Sequence, residues 1–196
     1  MKSETFNCMI AGVGGQGTVL ASKLIAAAAM KKGYDVRTTE TIGMAQRGGS
    51  VFGHVRIGKE IFSPLIPLGR ANVIIAFEPA EAVRQLPYLC KDTGSDGSSL
   101  VISSDSAIKP ITGSYDASAM LNYLQNFSPR LIILDGKRLT AQSPKTLNVA
   151  LLGAAAQSRV FPFDADILSD VIKETLPKRF LEMNIKAYEL GRELCP

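Results

Sequence analysis

Three glycines with a fixed spacing form the first pattern in this sequence that indicates chemistry. Gly12, Gly14 and Gly17 follow the pattern GxGxxG directly after a short apolar run. Glycines at this spacing allow a tight turn, a close approach of the main chain to a ligand and close packing of the next helix. The first amides of that helix, together with its dipole, favour an anion such as a phosphate. The motif alone is compatible both with a phosphate-binding loop and with a turn that binds nothing.

Two other segments supply polar side chains that could reach the same turn. Arg47 follows the second predicted strand, so its guanidinium could pair with a phosphate or carboxylate over the turn, or it could be an exposed loop arginine. Asn148 begins a later helix, where it could donate into the same crevice or cap a turn. The predicted cofactor-binding residues are Gly12, Gly14, Gly15, Gln16, Gly17, Thr18, Arg47, Gly48, Gly49 and Asn148.

The sequence lacks the residue patterns of several catalytic and metal sites. The only histidine, His54, lies inside a predicted strand, where a structural role is the simpler interpretation. There is no GxSxG nucleophile motif, and the glycine turn lacks the lysine of a phosphate-cleaving loop. Cys8, Cys90 and Cys195 are far apart, so no metal or iron–sulfur spacing is present. We therefore predict no catalytic residue and no metal site in this chain.

The elements around the glycine turn are predicted from the apolar pattern. Residues 6–32 indicate a buried strand, the turn and a long helix without proline or internal glycine. A second strand begins at Asp35 and is predicted to end at Glu40, a position where an acidic residue binds a ribose hydroxyl in dinucleotide sites. A glycine-rich loop follows Glu40 in place of a helix, which counts against a simple NAD domain.

A β-hairpin is predicted for residues 51–63. Residues 51–57 alternate between apolar and polar side chains, Gly58 and Lys59 fit a two-residue turn, and residues 60–63 run back. Pro64 closes the segment, because proline cannot continue a central strand. We expect this hairpin to project from the core as an insertion, where it could pack on the sheet or on a partner.

The remaining chain alternates buried strands with helices. Apolar runs at residues 71–77, 100–103 and 131–134 are typical of parallel strands, and helical segments cover residues 79–90, 116–127, 144–157, 164–176 and 178–194. This order predicts an α/β fold over residues 1–196 as a single domain. We expect a Rossmann-like three-layer sandwich with a mostly parallel sheet, an inserted β-hairpin and C-terminal helices.

The composition indicates which kinds of partner and which cellular compartment to expect. The 196 residues, 46% of them hydrophobic, can bury one sizeable core. The net charge of +4 is modest and the basic residues are scattered, which argues against a nucleic-acid partner. The most apolar window is too short to cross a bilayer, and three separate cysteines suggest a reducing compartment. We therefore expect a cytoplasmic protein without a membrane partner.

Four segments together resemble the gamma subunits of the 2-oxoacid:ferredoxin oxidoreductases. They are IAGVGGQG at residues 10–17, GMAQRGGSV at residues 43–51 after Glu40, the stretch 144–153 and the stretch 184–191, and they span nearly the whole chain. The combination is much more specific than GxGxxG alone. The GMAQRGGSV version is most similar to the indolepyruvate branch of the family, although the pyruvate and 2-oxoglutarate enzymes carry similar subunits.

This resemblance implies a non-catalytic subunit of an enzyme that oxidatively decarboxylates a 2-oxoacid, reduces ferredoxin and forms an acyl-coenzyme A. Thiamine diphosphate and iron–sulfur clusters are then expected in a partner subunit, and the isolated chain is expected to be inactive. Coenzyme A could place its phosphates at Gly15–Thr18 and Arg47. Two alternatives stay open: a free-standing NAD-binding oxidoreductase that uses Glu40, and a structural assembly module with an empty glycine turn. A homodimer is a further option for the isolated chain.

Overall fold

The computed structural model describes residues 5–42, 49–91, 99–108, 116–128, 130–141 and 143–196. Six strands and seven α-helices follow one another in this part of the chain. In order they are β1 (Phe6–Val13), α1 (Thr18–Lys31), β2 (Asp35–Ile42), β3 (Ser50–Gly58), β4 (Val73–Ala76), α2 (Pro79–Gln85), β5 (Leu100–Ser104), α3 (Ala117–Phe127), β6 (Leu131–Leu134), α4 (Gly136–Leu139), α5 (Leu147–Gln157), α6 (Ala165–Thr175) and α7 (Lys178–Leu194). Short 3-10 turns precede α5 and follow α2.

The strands form one mixed sheet in the order β2-β3-β1-β4-β5-β6. Strands β1, β4, β5 and β6 pair in parallel, whereas β3 is antiparallel to both of its neighbours. Since β2 and β1 are each antiparallel to β3, they run in the same direction. Among the described strands, only β3 therefore opposes the others. This confirms the predicted α/β fold with a mostly parallel sheet.

Helices cover both faces of the sheet. Cys8 and Ile10 of β1 belong to the core cluster that contains α1, α5, α6 and α7, while Met9 and Ala11 face the cluster that contains α2 and α3. Successive residues of a strand point to opposite faces, so a strand buried on both sides must be apolar throughout. This explains the unbroken apolar run of β1 and gives the three predicted layers.

The prediction of a β-hairpin at residues 51–63 is wrong. Strand β3 pairs with β2 on one side, from Asp35 opposite Gly58 to Ile42 opposite Val51, and with β1 on the other. Residues 59–63 form no strand; they begin the irregular loop that leads to β4. Alternation shows that a segment is a strand but does not identify its partner, and Gly58 and Lys59 lead into an irregular loop instead of a returning strand. Strand β3 is thus an interior strand and not a projection.

Strand β2 is also longer than predicted, which changes the position of Glu40. The strand continues to Ile42, and Glu40 lies opposite Gly53 within the β2–β3 ladder. In a dinucleotide site the ribose-binding acid follows the end of a parallel strand. Glu40 does not occupy such a position.

The C-terminal helices hold α5 close to the sheet. Helix α5 is buried along nearly its whole length, and it crosses α7 at Gly153 and Gly191. A Cβ atom at Gly153 would collide with the carbonyl oxygen of Tyr188, and one at Gly191 with that of Ala150. The two main chains therefore touch at the crossing. This contact fixes the N-terminus of α5, which carries Asn148.

Replacing Gly191 by alanine tests this close contact. The added methyl group would separate α5 from α7, and we expect Gly191→Ala to lower the free energy of unfolding by about 2 kcal/mol or more. If the main chains of α5 and α7 did not touch here, replacing a helical glycine by alanine would instead raise the free energy of unfolding by about 0.5–1 kcal/mol. Urea denaturation followed by circular dichroism distinguishes the two signs. Glu193→Ala, on the exposed side of α7, is the matched control and should change stability by less than about 0.5 kcal/mol.

Candidate functional site

The glycine turn lies at the edge of the sheet where the parallel strands end. Helix α1, which follows β1, packs on one face, and α2, which follows the neighbouring β4, packs on the other. The chain therefore leaves two adjacent parallel strands in opposite directions. In open α/β sheets such a switch point produces the crevice in which ligands bind.

The turn uses part of its main-chain hydrogen-bonding capacity internally. The Gly14 amide donates to the carbonyl oxygen of Gly49 at 2.8 Å, and the Gln16 amide donates to that of Val13 at 3.1 Å. Gly17 is the N-cap of α1 and has a φ of 86°, in the left-handed region that favours glycine. The turn is therefore a defined structure attached to the beginning of β3.

The first amides of α1 are not used by hydrogen bonds within the helix. The first main-chain hydrogen bond of the helix runs from the Ala21 amide to the Gly17 carbonyl oxygen, at 3.1 Å. The amides of Thr18, Val19 and Leu20 precede it and have no partner within the helix. No acidic side chain lies in the first turn of α1. This end of the helix is suited to an anion.

Asn148 supports the turn from the side of α5. Its Nδ2 donates to the Gly17 carbonyl oxygen at 3.2 Å, and its Oδ1 accepts from the Val149 amide at 2.9 Å. The side chain is only 2% exposed, and a Cβ atom at Gly17 would collide with its Nδ2. The structure thus brings Asn148 to the turn, as the sequence suggests, with both ends of its amide engaged by protein atoms.

Gln16 and Glu78 connect the turn to the end of β4. The Val13 amide donates to Gln16 Oε1, and Gln16 Nε2 donates to Glu78 Oε1, both at 2.8 Å. Glu78 was not among the residues singled out from the sequence. The available signal was its position: a glutamate directly after a buried parallel strand and before the first residue of α2, Pro79.

Burial raises the pKa of the Glu78 carboxyl group. The side chain is only 4% exposed, and desolvation raises the pKa of its carboxyl group above the ordinary value. Hydrogen bonds from the Ile108 amide and from Gln16 lower the pKa in part, and the nearby carboxylate of Glu81 raises it further. Glu81 itself accepts from the Ser50 hydroxyl and pairs with Arg84 at 3.2 Å. The carboxyl group of Glu78 therefore binds its proton more tightly than an exposed glutamate would.

The structure describes some of the remaining residues that the sequence analysis singled out, and others lie outside the described ranges. Gly49 lies against the turn, as described above, whereas Arg47 and Gly48 lie outside the described residues. His54 lies in the middle of β3, where its Nδ1 accepts from the Ile66 amide at 3.2 Å and burial lowers the pKa of its imidazole. This supports the structural role that the sequence suggested for His54.

Neither a cluster of metal ligands nor a helix able to cross a membrane occurs among the described residues. Over the described ranges, no three side chains of histidine, cysteine, aspartate or glutamate come together as ligands for a metal ion. None of the helices in the same ranges combines the length and apolar character that a bilayer crossing requires.

Comparison with known proteins identifies the family. Residues 7–194 match the model of the family described as pyruvate ferredoxin/flavodoxin oxidoreductase. The chain belongs to this family. It is 35% identical to the indolepyruvate oxidoreductase subunit IorB of Pyrococcus horikoshii, with 96% of this chain and 95% of the relative covered. It is 38% identical to the subunit of the same name from Archaeoglobus fulgidus, with 94% and 92% covered.

Solved structures share the fold of this family member at lower identity. The gamma subunit of a keto/oxoacid ferredoxin oxidoreductase from Geobacter sulfurreducens aligns with a TM-score of 0.69 at 17% identity, covering 97% of this chain and 98% of that one. A 2-oxoglutarate:ferredoxin oxidoreductase from Magnetococcus marinus aligns with a TM-score of 0.69 at 20% identity, covering 99% of this chain but 31% of that one. The same fold thus occurs as a separate subunit and as about a third of a longer chain.

The raised pKa of Glu78 predicts the sign of its contribution to stability. A folded-state pKa above the unfolded value near 4.5 means that the folded protein binds the proton more tightly. The contribution is fully present below pH 4.5 and is lost as the pH rises through the folded-state pKa. We expect the stability of the wild type relative to Glu78→Gln to increase as the pH falls from 7 towards 4.5, measured by urea denaturation.

Glu182→Gln is the control, because the exposed carboxylate of Glu182 has its pKa lowered by Lys186. Its contribution is present above the unfolded value near 4.5 and is lost only as the pH falls below it, so the difference between wild type and Glu182→Gln should stay constant from pH 7 to about 5 and shrink only at lower pH. A difference between wild type and Glu78→Gln that is constant from pH 7 to 4.5 would contradict the assignment.

Proposed function

We propose that this chain is the small, non-catalytic subunit of an oxidoreductase that decarboxylates indolepyruvate or a related 2-oxoacid and reduces ferredoxin. The observation that carries the proposal is the end-to-end similarity, at 34–38% identity, to four chains named indolepyruvate oxidoreductase subunit IorB. A pyruvate/ketoisovalerate oxidoreductase gamma subunit from Thermococcus kodakarensis is more distant, at 25% identity. This order favours an arylpyruvate over pyruvate as the substrate of the complex.

Thiamine diphosphate and the iron–sulfur clusters are assigned to a partner subunit, which also carries the contact with ferredoxin. Iron–sulfur clusters are bound to proteins by cysteine thiolates. Cys8 is completely buried, and desolvation raises the pKa of its thiol. The sequence spacing of Cys8, Cys90 and Cys195 gives no cluster motif. We also place the complex in the cytoplasm, where a reducing environment suits a chain with widely separated cysteines.

The role proposed for the glycine turn is to hold an anionic phosphate group of coenzyme A. Support comes from the amides at the beginning of α1, from the left-handed Gly17 and from the contacts of Asn148 and Gln16, which fix the turn before a ligand arrives. The carboxyl groups of Glu78 and Glu81 lie beside the turn and oppose an anion. Gln16 donates to Glu78 Oε1 and so uses part of the hydrogen-bonding capacity of that carboxyl group.

Reconstitution of the complex tests the proposal that this chain acts only together with a catalytic partner subunit. We expect the isolated chain to show no reduction of ferredoxin with indolepyruvate and coenzyme A, and the thiamine- and iron–sulfur-containing partner to need this chain for full turnover. The measurement is absorbance of ferredoxin under anaerobic conditions, with the partner alone as the control. Oxidation of the 2-oxoacid by this chain alone would refute the proposal.

A pair of substitutions at Gly15 tests the anion site. Gly15 has a φ of 101°, and apart from its chain neighbours no atom of the described residues lies within 4 Å of a Cβ atom placed there. Gly15→Asp would place a carboxylate beside the first amides of α1, whereas Gly15→Asn imposes the same shape and backbone strain without the charge. We expect coenzyme A to bind the complex that carries Gly15→Asp about tenfold more weakly than the complex that carries Gly15→Asn.

Isothermal titration of the assembled complex measures this ratio, and equal affinities of the two variants would remove the turn from the binding site. Arg47→Ala is a third variant in the same experiment. If this variant binds coenzyme A with unchanged affinity, Arg47 is excluded from the binding site, although it was predicted from the sequence. The glycine turn would not be excluded by that result.

A further inference from the structure

The side chain of Glu78 does not cap the helix that it precedes. Glu78 is the N-cap residue of α2, a position from which a side-chain oxygen usually accepts from the first helical amides, yet its carboxyl group makes no such bond. The residue is only 4% exposed. Burying a carboxyl group is costly unless it is hydrogen-bonded. The donors that Glu78 does have therefore indicate what its side chain is for.

These donors come from two loops at the same edge of the sheet. Gln16 Nε2, in the turn after β1, donates to Glu78 Oε1 at 2.8 Å. The Ile108 amide, in the segment after β5, donates to the same carboxyl group. Strand β4 lies between β1 and β5 in the sheet. The carboxyl group at the end of β4 thus connects the loops that follow both of its neighbours.

The segment after β5 is itself attached to the next strand. The Asp105 amide donates to the carbonyl oxygen of Leu134 at 3.0 Å, and the Gly136 amide donates to Asp105 Oδ1 at 2.8 Å. Hydrogen bonds therefore extend from the glycine turn through Glu78 to the beginning of α4. Glu78 connects the turn to a part of the sheet edge that is held from its other side as well.

The first glycine of the motif makes room for the side chain of Gln16. Gln16 Oε1 accepts from the Val13 amide at 2.8 Å, so the side chain folds back towards the end of β1. A Cβ atom at Gly12 would lie 2.7 Å from Gln16 Oε1 and 2.9 Å from Phe77 Cδ2, and both distances are too short for real contacts. The oxygen and the nitrogen of the Gln16 carboxamide are thus both bonded to protein atoms.

We propose that Glu78 is a positioning residue for the anion site: through Gln16 it fixes the conformation in which the glycine turn binds a phosphate group, and it does not touch that group. Gln16 then supports the turn and is not itself a ligand contact. This inference rests on the role proposed above for the turn and adds a residue on which that role depends.

Charge and hydrogen bonding give opposite expectations for Glu78. A negative charge beside the site opposes an anion, so removing the charge alone would strengthen binding. The acceptor oxygen instead holds Gln16, so removing it leaves Gln16 Nε2 without its partner and weakens binding. A variant that loses only the charge can therefore be compared with one that loses the charge and the acceptor.

The test compares Glu78→Gln with Glu78→Met in the assembled complex. Both substitutions remove the charge at similar side-chain size, but only glutamine keeps an oxygen that can accept from Gln16. We expect coenzyme A to bind the methionine variant about tenfold more weakly than the glutamine variant in isothermal titration. Equal affinities would overturn the inference. Glu60→Gln, at an exposed position after β3 and at the opposite edge of the sheet, is the control for loss of charge and should bind like the wild type.

The same pair of substitutions in a Gln16→Met background tests the route through Gln16. The tenfold difference should disappear there, because the side chain that Glu78 holds is absent. A difference that persists would overturn the inference, since Glu78 would then act without Gln16.

Glu78→Asp provides a second variant in case Glu78→Met does not fold. It keeps the charge but withdraws the carboxylate from Gln16 by one methylene group, so coenzyme A should bind it more weakly than the wild type. Unchanged affinity would contradict the positioning role. Failure of the wild-type complex to bind coenzyme A would overturn the proposed role of the turn, and this inference with it. Binding by the wild type combined with equal affinities of Glu78→Gln and Glu78→Met overturns this inference alone.

Discussion

The structure of the candidate site depends on how the turn after β1 is held. Asn148 of α5 binds the carbonyl oxygen of Gly17, Gln16 connects the turn to Glu78 after β4, and the Gly14 amide binds the carbonyl oxygen of Gly49 ahead of β3. Three distant parts of the chain thus fix one short segment. A turn held in this way presents the first amides of α1 in a constant arrangement, which reduces the cost of ordering them around a ligand.

The C-terminal helices belong to this arrangement although they lie far from the glycine motif in sequence. The main chains of α5 and α7 touch at Gly153 and Gly191, and the Tyr188 hydroxyl donates to the carbonyl oxygen of Ala165 at 2.8 Å. These contacts hold the N-terminus of α5 against the turn. The fold therefore links the packing of its last three helices to the geometry of its first crossover.

Much of the fold could be predicted from local sequence signals. The glycine spacing and the apolar runs predict the βα unit, most of the strands and the C-terminal helices. The partner of β3 could not be predicted, because pairing with β1 and β2 joins residues that alternation does not relate. Glu78 was missed because a single glutamate before a proline is also a common way to begin a helix. The sequence makes Asn148 a candidate for the same crevice, whereas its specific hydrogen bond to the Gly17 carbonyl oxygen, 131 positions away, is defined only by the fold.

Groups of opposite electrostatic character meet at the crevice. The first amides of α1 favour an anion, whereas the carboxyl groups of Glu78 and Glu81 oppose one. The most direct test of the central claim is an electron cryomicroscopy structure of the assembled complex with coenzyme A. The account predicts a phosphate group within about 3 Å of the main-chain amides of residues 17–20. Coenzyme A bound elsewhere, with no phosphate at the glycine turn, would contradict it.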